Sequence, residues 1–302
     1  MAPVLICEVG PRDGLQNEER VLSVAARVEF VNRLSECGFS RIEVGSFVSA
    51  RRVPQMADAE QVFDQIDRRP GVEYTGLVLN LKGAQRALAC DADRLNCVVV
   101  ATETFNMRNQ GKAVADTVAE LDAVIALAAR ASVPVTVTIG AAFGCPFEGL
   151  VAPSAVAALA AHFASAGVAE IALADTIGVG VPTQVQELFA LVSDQMSGTP
   201  VSIGFHFHNT RNTGIANAFA ALQAGARVLD ASVGGAGGCP FAPAATGNIP
   251  TEDLAYMLDG MGRKTGIDLN GVVGTAHWLA GQLGRELPGM VSRAGADWCA
   301  AT

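Results

Sequence analysis

Val201-Ser202-Ile203-Gly204-Phe205-His206-Phe207-His208-Asn209 is the stretch from which the rest of the chain is read. Val201 to Phe205 is rich in β-branched and aromatic residues and is bounded upstream by Gly198 and Pro200, which predicts a strand. Residues i and i+2 of a strand share a face. His206 and His208 therefore project together, parallel and side by side, with Phe205 and Phe207 on the other face. Two imidazoles at a strand end form half of a divalent-metal site. An isolated His-x-His is as often an inert, hydrogen-bonded pair. What shifts the balance is that the chain has 4 histidines in all and two of them stand here.

On either side of this stretch, extended and helical segments alternate. Apolar extended runs cover Val4–Val9, Arg41–Val44, Tyr74–Leu79, Leu95–Ala101, Val133–Ile139 and Ala169–Ala174, and Val228–Val233 follows the histidines. Between them lie helices from Ser23, as N-cap, to Gly38, then Asp58–Ile66, Lys82–Leu88 and Asp116–Ala129. Three more run from a Ser154 cap to Gly167, from a capping box at Thr183 and Gln186 through Met196, and over Ile215–Ala224. Eight β/α alternations with no linker between them predict an α/β fold, a single (β/α)8 TIM barrel. A doubly wound sheet is disfavoured, because no Gly-x-Gly-x-x-Gly opens the first helix. The chain reads as one catalytic domain, 1–302, with the barrel over about 3–235 and a C-terminal lid or helical extension over about 236–302. That extension is expected to pack over a barrel end or against a partner subunit.

Composition narrows the function. Of 302 residues, 50% are hydrophobic but only 6% aromatic, so Ala, Val and Leu must supply a large core of helices on buried parallel strands. The net charge of −9 comes with no basic block, which argues against nucleic-acid or membrane-surface binding. Leu150 to Ala169 is uncharged, but Pro153, His162 and Gly167 interrupt it, so it reads as a loop plus one helix rather than a membrane span. Seven scattered cysteines without a Cys-x-x-Cys pair argue against a disulfide framework or a zinc ribbon and suggest a reducing compartment, the cytoplasm.

Barrel enzymes gather their chemistry at the carboxyl ends of the strands. Just past strand one comes Gly10-Pro11-Arg12-Asp13-Gly14-Leu15-Gln16-Asn17-Glu18; Glu43 lies on strand two, and Asp175-Thr176 follows strand six. After strand eight come Gly234-Gly235-Ala236-Gly237-Gly238-Cys239-Pro240 and Asn248. Every reactive side chain thus falls at one barrel end. Asp13 is a natural third ligand beside His206 and His208, and Asn248 a fourth through its amide oxygen. Such N/O ligation without thiolate suits Mg²⁺ or Mn²⁺, and Zn²⁺ as well. Alone, Asp13 reads more often as a turn residue and Asn248 as a loop amide. Arg12 pairs with Asp13 or holds a carbonyl oxygen that becomes an enolate. Glu43 and Asp175 are placed to orient Arg12 or a metal ligand. Cys239, on a glycine-rich loop, suits proton transfer if its thiol titrates near neutrality. His162 and His277 read as mid-helix structural residues.

Together these residues resemble 3-hydroxy-3-methylglutaryl-CoA lyase. The likeness is carried by Gly10 to Glu18, Ile42-Glu43-Val44, Ser46-Phe47-Val48-Ser49, Val53-Pro54-Gln55-Met56, Asn80-Leu81-Lys82-Gly83 and Gly144-Cys145-Pro146. It continues through Asp175-Thr176-Ile177-Gly178-Val179-Gly180, His206 to Asn209, Gly234 to Pro240, Gly247-Asn248 and Thr251-Glu252-Asp253, and so spans the chain. The resemblance implies a divalent metal held by Asp13, His206, His208 and Asn248, and retro-Claisen cleavage of an acyl-CoA thioester to acetyl-CoA and a keto acid. It also implies Arg12 as stabiliser of the enolate oxygen, Cys239 in proton transfer, support from Asp175 and Glu43, and a homodimer or higher homo-oligomer. Arg12, Gln16 and Thr138 are the expected substrate contacts. Three positions depart from the family: Glu19 stands for a lysine, Thr138 for a tyrosine, and Ala50-Arg51-Arg52 for Pro-Lys-Trp. Threonine at 138 leaves more room, so a longer or differently branched 3-hydroxyacyl-CoA, or citramalyl-CoA, stays open. A Claisen synthase of the same superfamily is the alternative reaction, and an inactive acyl-CoA-binding barrel a lesser one.

Overall fold

The computed structural model describes residues 3–238 and 247–296. Eight parallel strands close into a barrel: β1 (Leu5–Glu8), β2 (Arg41–Ser46), β3 (Glu73–Val78), β4 (Arg94–Val100), β5 (Val135–Gly140), β8 (Glu170–Asp175), β9 (Ser202–Phe207) and β10 (Val228–Ala231). β1 seals the barrel between β2 and β10, with Cys7 opposite Arg41 and Asp230. A short hairpin, β6 (Gly144–Cys145) with β7 (Gly149–Leu150), interrupts the β5–β8 crossover. Sequence reading missed it, and two-residue strands carry no periodicity to detect.

The helices are α1 (Val24–Glu36), α2 (Ala59–Gln65), α3 (Leu81–Ala89), α4 (Glu103–Gln110), α5 (Val114–Arg130), α6 (Pro153–Ser165), α7 (Pro182–Gln195) and α8 (Gly214–Ala224). Ser23 caps α1 as expected, accepting from the Ala26 N–H at 3.2 Å. Two other caps fall elsewhere. Ala152 precedes α6, with Pro153 rather than Ser154 setting the first turn. At α7, Gln184 Oε1 accepts from the Val181 N–H at 3.1 Å, two residues ahead of the expected Thr183–Gln186 box. Valine offers no side-chain acceptor, so only half of that box exists.

α9 (Thr251–Gly260), α10 (Leu269–Leu283) and α11 (Met290–Ala294) make up the described C-terminal extension. At the carboxyl end of the barrel it touches the loops after β1 and β10, where Arg285 pairs with Glu18 and the Gly289 N–H donates to the Gly234 carbonyl at 2.9 Å. α9 packs against α8 and α10 against α1, so the two fill the outer helical layer where a helix after β10 belongs. Phe30 and Trp278 meet there at 5.8 Å between ring centroids, and Arg33 lies over the Trp278 ring at 5.1 Å. No described helix is long and apolar enough to cross a membrane.

Strand parity separates the chemistry from the core. On β9, Phe205 and Phe207 turn outward and stack at 5.2 Å beneath the helices, while His206 and His208 face the barrel axis. The barrel interior is polar rather than aliphatic. At its amino end, Arg41 lies 2.8 Å from Glu73 and 2.9 Å from Glu170, and Arg94 lies 3.1 Å from Glu73. These ion pairs plug one end, and the functional groups line the other.

Candidate metal centre and active site

Immediately after β1 the backbone makes a π-turn, Gly10–Gly14, in which the Asp13 N–H reaches the Val9 carbonyl at 2.7 Å. The turn carries Arg12 and Asp13 back over the barrel mouth. Asp13 Oδ2 comes to 3.8 Å from His206 Nε2 and 4.0 Å from His208 Nε2, and donor atoms of all three residues lie within 4.8 Å of one another. All three are buried. The two histidines share a face, although their rings are tilted by 56° rather than parallel. Tilted rings aim their nitrogens at one point, as a shared ligand requires.

Asn248 arrives from the far end of the chain, and an isolated bridge pairs its backbone with His208. Its Nδ2 donates to Asp13 Oδ2 at 2.8 Å and to the Ala236 carbonyl at 3.0 Å. Its Oδ1 is buried with no hydrogen-bond partner. A buried amide oxygen without a donor costs free energy unless something electropositive meets it. That orphaned oxygen, beside a carboxylate and two imidazoles, fits a divalent cation.

The electrostatics suit the same purpose. Burial alone would raise the Asp13 carboxyl, but Arg12, the two histidines and the Asn248 amide bring it down to about 2, so it stands ionised. Burial and the neighbouring His206 lower His208 to about 4, leaving a neutral imidazole, the ligating form. Burial also works against protonating His206, but its hydrogen bond to the Asp230 carboxylate and the nearby Asp13 charge outweigh it and raise this ring.

Arg12 is held between two carboxylates, with Nη1 2.5 Å from Asp13 Oδ1 and Nε 2.5 Å from Glu43 Oε2. Glu43 therefore orients Arg12, one of the roles its position suggested. Burial raises the Glu43 carboxyl, against the pull of Arg12 and Asn96, which set donors against both its oxygens. Gln16 Nε2 donates to Asp13 Oδ1 at 2.7 Å. Thr138 faces the barrel interior, where it hydrogen-bonds Asn96.

Asp175 does not join this group. It shares parity with Ile171 and Leu173, so it points away from the axis, and it accepts from the Val179 and Gly180 N–H groups at 3.0 and 2.8 Å. It fastens the β8–α7 turn and orients neither Arg12 nor a ligand directly. Cys239 lies outside the described residues. His162 bonds Asp122 at 2.9 Å and His277 the Ser292 carbonyl at 2.7 Å, both far from the mouth in the outer helices.

Sequence reading missed Asp230 and Asn96. Asp230 lies 3.1 Å from His206 Nδ1 and fixes which ring nitrogen faces the centre. An acidic residue within the otherwise apolar Val228–Ala231 strand was its available signal.

Arg12, Asp13, Gln16, His206 and His208 line a cavity of about 400 Å³ that opens at the mouth. Its far wall is apolar, with Leu77, Val98, Val100 and Phe105, and Arg52 stands at its edge. A cation centre at one side of such a pocket, with a fixed guanidinium alongside, suits a ligand whose oxygens need polarising and whose remainder is partly hydrocarbon.

The HMGL-like family model matches residues 3–278. An (R)-citramalyl-CoA lyase from Chloroflexus aurantiacus is 44% identical, over 98% of this chain and 96% of its own length. A hydroxymethylglutaryl-CoA lyase from Pseudomonas mevalonii is 43% identical over 94% of both. Among solved structures, an HMG-CoA lyase from A. baumannii in complex with coenzyme A and 3-methylmalate superposes with a TM-score of 0.94 at 39% identity. That match covers 99% of this chain and 97% of the other.

Proposed function

The chain belongs to the HMGL-like family and is a carbon–carbon lyase; we propose that it cleaves 3-hydroxy-3-methylglutaryl-CoA to acetyl-CoA and acetoacetate. The observation that carries this reading is the meeting of Asp13, His206 and His208 with the orphaned Asn248 oxygen, beside Arg12 in one cavity. These four residues would hold a divalent metal, Mg²⁺ or Mn²⁺ by preference, with Zn²⁺ also compatible. When bound, the cation supplies Lewis-acid polarisation of the substrate's oxygens.

The chain's own groups do the rest. The tertiary hydroxyl gives its proton to water at the cavity mouth. The hydroxyl oxygen's pair closes the ketone of acetoacetate as the C2–C3 bond breaks, and the pair of that bond passes to the thioester carbonyl as an enolate. Arg12 spends Nε on Glu43 and Nη1 on Asp13, which leaves Nη2 to meet the enolate oxygen. Gln16 and Thr138 line the substrate's path. Cys239 is the proposed proton donor to the enolate carbon. In support, the preceding Gly238 borders the cavity and its carbonyl accepts from Asn17 at 2.7 Å. Asp175 is proposed to hold the neighbouring turn rather than to touch substrate.

Citramalyl-CoA, yielding pyruvate with acetyl-CoA, is the second reading. It is favoured by the 44% identical relative and by the small Thr138 in the pocket wall. A homodimer or higher homo-oligomer and the cytoplasm belong to the same proposal, and free cysteines among the described residues agree with a reducing compartment.

Metal-loaded protein assayed for acetyl-CoA release from both thioesters tests the function. Acetoacetate formation identifies the first substrate and pyruvate the second. Absence of acetyl-CoA from both, with metal bound, overturns the reading.

A further inference from the structure

A chain of hydrogen bonds crosses the barrel interior to the Arg12 guanidinium. Thr138 on β5 lies 2.9 Å from Asn96 Oδ1 on β4, Asn96 Nδ2 lies 2.7 Å from Glu43 Oε1 on β2, and Glu43 Oε2 lies 2.5 Å from Arg12 Nε. The direction of each bond follows from the chemistry of the next. Glu43 accepts at both oxygens, from Arg12 Nε at Oε2 and from the Asn96 NH₂ at Oε1, so the amide turns its nitrogen towards the carboxyl group. The amide oxygen then faces Thr138, whose single O–H must be the donor. Every proton in the chain points to Glu43, and the amide has no freedom to flip.

We propose that Asn96 and Thr138 are positioning residues for Arg12, acting through Glu43, and that they fix the angle at which the guanidinium meets the thioester oxygen. Without Asn96, Glu43 Oε1 loses the one side-chain donor it has among the described residues, at a site where Glu43 is 1% exposed and water has little access to replace it. The carboxylate then swings about its remaining bond, and Arg12 moves with it. Without the Thr138 hydroxyl, the Asn96 oxygen is unheld and the amide can rotate. A second consequence follows for the pocket. Because its hydrogen is committed to Asn96, the Thr138 hydroxyl offers the cavity only lone pairs. It accepts a donor or stands beside hydrocarbon, and gives nothing to a carboxylate. The acid group of the substrate therefore lies away from β5.

This inference rests on Arg12 acting at the thioester oxygen, so the test separates the two. In steady-state assays, Asn96→Ala lowers kcat by about tenfold or more, since donors aimed at a developing oxyanion act mainly on the transition state. KM for acyl-CoA and bound metal stay near the values of the unmodified enzyme. Thr138→Val lowers kcat by several-fold, and Thr138→Ser, which keeps the hydroxyl, recovers most of it. A merely structural role would instead lower thermal stability in proportion to the loss, with no rescue by serine. The second readout needs no turnover: the Arg12 Nε–H resonance of ¹⁵N-labelled protein shifts in Thr138→Val and not in Thr138→Ser. Unchanged kcat in Asn96→Ala together with an unmoved Arg12 resonance in Thr138→Val overturns the proposal. An unmodified enzyme that releases no acetyl-CoA overturns the lyase reading instead, while the resonance still decides the relay.

Discussion

Glu8 is 0% exposed on the outer side of β1, and burial raises its carboxyl from the usual 4.5 to about 8. Its contacts match a protonated acid. Oε1 accepts the Gly10 and Val233 N–H groups at 2.7 and 3.0 Å, as a carbonyl oxygen does. Oε2 faces the Thr251 hydroxyl at 2.6 Å, which can accept a hydrogen bond from the acid proton as readily as donate one. Glu8 thus ties the turn carrying Arg12 and Asp13 to both stems of the glycine-rich loop. An acid with a raised folded pKa binds an extra proton in the native state between the two values. Its contribution is complete below 4.5 and is lost as pH rises through about 8. At about 1.4 kcal/mol per pH unit, the interval from pH 5.5 to 8 removes about 3 kcal/mol. Glu8→Gln keeps the accepting oxygen and places a permanent donor against Thr251. The expected result in urea unfolding is a variant whose stability advantage over the original grows by about 3 kcal/mol between pH 5.5 and 8. Other buried carboxyls titrate in both proteins and cancel in the difference. A difference independent of pH would refute a neutral Glu8.

Arg12→Lys loses the fork that reaches Glu43 and Asp13 at once, and kcat for thioester cleavage should fall by about 100-fold or more with metal content intact. Cys239→Ala should abolish acetyl-CoA release while leaving the metal stoichiometry from elemental analysis unchanged; retained activity removes the thiol from the mechanism. Phe205→Ala, at a side chain 1% exposed and stacked on Phe207, should cost about 3–5 kcal/mol in chemical denaturation.

The fold was legible because β/α alternation and strand parity are local. Period-two spacing put His206 and His208 on one face, and the structure keeps them there. The expected capping residues of α6 and α7 slipped because proline, or a glutamine one turn on, did the work of a hydroxyl. The same parity that placed the histidines was not applied to Asp175, where it turns the carboxylate outward. Asp230 and Asn96 escaped notice because their importance lies in partners on other strands, which register across a closed barrel decides and sequence spacing does not. The ionic plug of Arg41, Glu73, Arg94 and Glu170 was hidden likewise, since each residue alone looks like a strand-end charge. The C-terminal helices were legible as helices, but their place beside α1 and α8 depends on the gap that barrel closure leaves in the outer layer.

The most direct measurement is titration of Mn²⁺ into metal-free protein, followed by electron paramagnetic resonance, for the unmodified chain, Asp13→Ala and His208→Ala. A single tight site in the unmodified protein, weakened by about 100-fold or more in each variant, is the expected result. Equal Mn²⁺ binding by all three would show that Asp13 and His208 hold no cation, and the cleavage chemistry assigned to this barrel mouth would have no centre.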